Sequence, residues 1–88
     1  MSNRDLVHLQ RQRKEWAARL RDVQADIRTT TDRAARDQKT HERRGQHAMA
    51  DYVVDQAKKK VRALEANERR LEHNLEDVEA QIRALPTS

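Results

Sequence analysis

The sequence contains no cysteine and no phenylalanine, one glycine, one proline, one tryptophan and one tyrosine. Each scarcity excludes something. Without cysteine there are no disulfides, thiolate metal sites or thiol nucleophiles, and cysteine usage leaves the redox compartment undetermined. With a single glycine and a single proline the chain lacks the turn signals of a sandwich or a barrel. No apolar run approaches the ~18 residues of a membrane span, and no signal-peptide apolar region is present. A cytoplasmic protein with no membrane partner is therefore expected. Aromatic residues make up 2% of the 88 positions and charged residues 39%, which argues against one compact globular core. What remains is rich in Ala, Arg, Leu, Glu and Gln, the composition of long helices.

Apolar residues recur at alternating spacings of three and four. The first half reads Leu6, Leu9, Arg13, Trp16, Leu20, Val23, Ile27, Thr30, Ala34, Asp37, His41, Arg44. The second reads His47, Ala50, Val54, Ala57, Val61, Leu64, Glu68, Leu71, Leu75, Val78, Ile82, Leu85. These two series hold all seven leucines, both isoleucines, four of the six valines and the tryptophan, so the apolar content is committed to one seam. A seam sustained over this many heptads is the pattern of coiled-coil packing.

The two halves are out of phase by one residue. The first register would continue through Ala48 and Asp51, whereas the second uses His47 and Ala50. The slip occurs around Gly45, and glycine favours the left-handed conformation that ends helices. Folding the chain back there pairs seam positions whose numbers sum to 91. Leu6 then meets Leu85, Leu9 meets Ile82, Trp16 meets Leu75, Leu20 meets Leu71, and Ile27 meets Leu64. The predicted fold is all-α, an antiparallel two-helix coiled-coil hairpin forming one domain over residues 1–88. Helix one is expected over about 3–44, a tight turn near Gly45, helix two over about 47–85, and a disordered tail at 86–88. The competing arrangement is one continuous helix that skips phase at Gly45 and assembles between chains. Ser2 with Asp5 resembles a capping box, and Pro86 stops the second helix. The run Thr29-Thr30-Thr31 is a poor helix former and a candidate kink.

A lone hairpin of this size is marginal unless it is idealised or oligomeric, so dimerisation into a four-helix assembly is expected. Polar residues interrupt the seam: Arg13 faces Val78, Glu68 faces Val23, and Asp37 faces Val54. Arg13 and Glu68 are expected to turn their charged ends outward. Met49, Tyr52 and Val53 lie off the seam near the turn, opposite Asp37 and His41, which cannot bury them. These three form the expected partner interface.

Charge is uneven along the rod. Residues 33–62 carry nine basic groups against four acids, a net of +5, which leaves −1 for the rest of a chain whose total is +4. The basic tip comprises Arg36, Lys39, Arg43, Arg44, Lys58, Lys59, Lys60 and Arg62. Such a tip suits a phosphate backbone. Part of it also has a structural use, since Arg43 and Arg44 oppose the negative end of a helix dipole. No aromatic residues interleave with the cations for base stacking, and no nucleic-acid motif is present.

Chemistry-bearing constellations are scarce. Among His8, His41, His47 and His73 only His41 and His47 are close, and they lack a clear third ligand. No glutamate has a histidine three residues on, as a di-iron bundle requires; only Asp5 with His8 has that spacing. Ser2 and Ser88 are terminal, and there is no glycine-rich phosphate loop. No catalytic, cofactor-binding or metal-binding residues are expected, and no cofactor. The expected function is that of a small non-enzymatic interaction protein: an adaptor, regulator or inhibitor that binds a protein partner and acts as a homodimer. Nucleic-acid binding through the tip is the alternative, and a structural spacer the third reading.

Overall fold

A computed structural model describes residues 3–86. Helix α1 spans Asn3–Arg43 and helix α2 spans His47–Ala84. The two pack along their lengths into a rod of 68 × 14 × 12 Å. One continuous helix over the same residues would extend about 125 Å at ~1.5 Å per residue. The chain is therefore a helical hairpin.

The turn that doubles the chain back follows from Gly45. Its φ of +72° lies in the left-handed region, which only glycine adopts without steric cost. The amide of Gln46 donates to the carbonyl of His41 at 2.8 Å, and that of Gly45 donates to Glu42 at 3.0 Å. This pair of bonds is a Schellman motif, which satisfies carbonyls that a helix end otherwise leaves open. Such motifs usually add an apolar contact between the residues at its two ends. Here the contact is polar, with His41 Nδ1 lying 2.8 Å from Gln46 Oε1. Gln46 also starts the next helix, its carbonyl accepting from Ala50 at 3.0 Å. At the far end Leu85 is extended (φ −66°, ψ 133°), as the residue before a proline prefers.

Helix α1 passes through Thr29–Thr31 without interruption. Side-chain packing against α2 outweighs the local cost of three β-branched residues there. Ser2, the candidate cap, and the last two residues of the expected tail lie outside the described residues.

Burial follows the seam. The five buried apolar residues, Leu9, Val23, Ala50, Leu71 and Val78, all belong to the two spaced series. The remaining leucines and isoleucines, with Trp16, Val54 and Val61, are half-buried, as expected for helices with only one neighbour. Surface grooves join the helices in the expected register to within one helical turn. Leu9 shares one with Gln81 and Leu85, Trp16 shares one with Leu71 and Asn74, and Ala34 shares two with Ala57. Arg13 is exposed and Val78 buried, whereas Glu68 is half-buried. Arg19 lies over the Trp16 ring at 5.0 Å, a cation–π contact that shields a ring the second helix covers only in part.

Candidate interaction surfaces at the turn end

Towards the turn several seam residues are small, namely Ala34, Ala50 and Ala57. Ala34 and Ala57 occupy the layer that large residues fill elsewhere, and two grooves open on either side of it. One, of about 440 Å³, is lined by Asp26, Thr29, Arg33 and Asp37 of α1 and by Val53, Gln56 and Lys60 of α2. The other, of about 340 Å³, lies on the opposite face, with Thr31, Ala35 and Gln38 against Val54, Lys58, Val61 and Glu65. The signal for both was the run of small seam residues at Ala34, Ala50 and Ala57, which period alone treats as equivalent to leucine.

Met49, Tyr52 and Val53 occupy the first two turns of α2. The spacings of three and four residues set them side by side on the helix surface. Met49 is 48% exposed and Tyr52 58%, and Val53 is half-buried at the rim of the larger groove. Across the hairpin Asp37 is exposed and His41 half-buried, the latter engaged with Gln46, so neither covers the patch. The three side chains thus form one apolar area beside a polar-walled groove.

The basic residues are distributed differently. Arg36, Lys39, Arg43, Arg44, Lys58, Lys59, Lys60 and Arg62 are all exposed. Consecutive helical residues are about 100° apart, so Lys58, Lys59 and Lys60 do not share a face. Lys60 lies in the groove with Arg33, and Lys58 lies in the opposite groove with Arg62. Lys59 points away from both and pairs with Asp55 at 3.4 Å. The cations form a collar around the rod, and acids stand among them: Asp26 and Asp37 on one side, Glu65 on the other.

Two ion pairs run along α2, Asp55–Lys59 at 3.4 Å and Asp77–His73 at 3.6 Å. Arg11, Arg13, Arg19, Arg21 and Arg28 of α1 form no salt bridge with the glutamates of α2. Among the described residues no group of three or more His, Asp or Glu side chains is placed to hold a metal ion. No described helix is long and apolar enough to cross a membrane. Comparison with protein-family models, with curated proteins and with solved structures finds no match for this chain.

Proposed function

We propose that this chain is a small, cytoplasmic, non-enzymatic coiled-coil interaction protein, an adaptor, regulator or inhibitor that acts as a homodimer. It engages a protein partner through Met49, Tyr52 and Val53 at the turn end. The observation that carries the reading is the exposure of Met49 and Tyr52 beside half-buried Val53, on a rod where, among the described residues, the other large apolar side chains apart from Val7 are at least half-buried. An apolar cluster that the fold leaves uncovered is the usual mark of a binding surface. The test is affinity capture from the native source, comparing the chain with a Tyr52→Asp, Val53→Ser variant. The reading requires a protein that binds the first and not the second, with or without nuclease. Equal capture by both overturns it.

Nucleic-acid binding is the second reading, supported by the +5 balance of residues 33–62 and the exposure of the collar. It is the weaker one, because acids interrupt the collar and no aromatic side chain stacks within it. A nuclease-sensitive capture that survives the Tyr52 and Val53 changes favours it. A rod that is monomeric and captures nothing favours a structural spacer.

A further inference from the structure

The two faces of the hairpin differ in how their charge is arranged. Around the larger groove acids and bases mix along α1, with Asp26, Arg33 and Asp37 followed towards the base by Asp22 and Arg19, while α2 brings only Lys60 and then Arg70 to that side. The other face carries Ala35 on α1 and Glu65 on α2 beside the smaller groove. Heptad steps from Ala35 towards the base give Arg28, Arg21 and Lys14, a row of one sign. Heptad steps from Glu65 give Glu72 and Glu79, a row of the opposite sign. Between them the seam-flanking positions of α1, namely Gln10, Ala17, Gln24, Thr31 and Gln38, carry no charge at all. Neither row is paired within the chain, since none of these three cations bridges to a carboxylate of α2.

We propose that this face binds the same face of a second copy, about a two-fold axis parallel to the rod, so that the turns of both hairpins lie at one end. This rests on the homodimer reading above and specifies its surface and orientation. The operation sets α1 of each copy antiparallel to α2 of the other. Lys14 then lies opposite Glu79 of the second copy, Arg21 opposite its Glu72, and Arg28 opposite its Glu65. The two-fold axis makes the same three pairs again. Equal height requires residue numbers that sum to 91, and these pairs sum to 93, an axial offset of about 3 Å that long side chains span. Lys58 and Arg62 meet the neutral Ala35 and Thr31 of the second copy, and one like pair, Glu42 with Asp51, falls at the tip. Turning the second copy end for end instead sets basic rows over basic rows.

The exposed area supports an occupant of this size. The chain exposes 6976 Å². A globular protein of this mass exposes about 5,400 Å² by the usual scaling of surface with mass. The difference, roughly 1,600 Å², exceeds the ~800 Å² that each partner contributes to a standard interface. The arrangement covers the smaller groove and leaves Met49, Tyr52 and Val53 open.

Sedimentation equilibrium of the full chain at tens of micromolar tests the proposal with two charge-reversed variants. One carries Lys14→Glu, Arg21→Glu and Arg28→Glu; the other carries Glu65→Lys, Glu72→Lys and Glu79→Lys. The unaltered chain is expected at about twice its 10.4 kDa. Each variant alone sets like rows against each other, and dissociation should become easier by about 100-fold or more. An equimolar mixture of the two should dimerise again, because each then supplies the row the other lacks. Recovery in the mixture also shows that both variants fold, and helicity at 222 nm follows it. A monomeric unaltered chain overturns this proposal and the homodimer reading together. A dimeric chain whose variants also dimerise undiminished overturns this face and leaves the homodimer reading standing. Variants that stay apart when mixed overturn the row-on-row pairing.

Discussion

The base half and the turn half of the rod use one seam for different ends. In the base half Leu9, Val23, Leu71 and Val78 are buried, and Trp16, Leu20, Leu75 and Ile82 fill the layers among them. In the turn half only Ala50 is buried, at 1% exposure, and the neighbouring layers hold Ala34, Ala57, Asp37 and His41. The turn half also carries the positive collar and the uncovered Met49 and Tyr52. Apolar area removed from water is the main source of stability, and little of it lies near the turn. The base half therefore holds the hairpin together, and the turn half is free to present side chains outward.

The strongest way to break this division is to empty the base. Leu71 is 4% exposed, and Leu71→Ala should cost about 2–5 kcal/mol, read as a lowered denaturation midpoint. Half-buried Val54 in the turn half should lose only about 1 kcal/mol on change to Ala. Equal losses at the two sites contradict the division. Exposed Arg11→Ala on the outer face should stay within about 0.5 kcal/mol.

Next in size is the turn itself. A Cβ at residue 45 meets nothing within 4 Å, so Gly45→Ala tests the backbone alone. The left-handed φ should cost about 1–2 kcal/mol, with Gly45→Asn costing less. A cost near zero means that the reversal does not depend on this conformation.

Smaller still in stability, but decisive for the proposed partner binding, is the patch. Tyr52→Asp with Val53→Ser should abolish partner binding while shifting stability by less than about 1 kcal/mol and leaving helicity intact. A collapse of helicity places these residues in the core and removes the distinction between the halves. The smallest effect is expected from the collar. Gln at Lys58, Lys59 and Lys60 should leave fold and partner binding in place. If the tip binds nucleic acid, each lost phosphate contact flattens the salt dependence by about 0.7–0.9 log units per log unit of salt. Loss of function from the lysine changes, with none from Tyr52 and Val53, reverses the proposed roles.

Much of the hairpin was legible because seam spacing and a lone glycine are local signals with few structural solutions. Among the described residues the alternating series contains every buried one, and the phase slip falls on the one with positive φ. The dispersal of Lys58, Lys59 and Lys60 is less visible in a linear reading, which shows a run where the helix makes a fan. The grooves beside Ala34 and Ala57 were missed because period records where a side chain points and not how much space it fills. Glu68 is half-buried at its seam position while Arg13 is exposed, a difference between two polar seam residues that period alone treats alike.

The length of the rod has a consequence of its own. Met49 and Leu85 lie on one side of the hairpin bend, 36 positions apart, which is about 54 Å of helix axis. A small folded domain is about 30 Å across. Two bodies of that size can grip opposite ends without colliding, and each is then held near the other at a set separation. Were a molecule held at each end, the rod would raise the local concentration of one around the other with no contact between them.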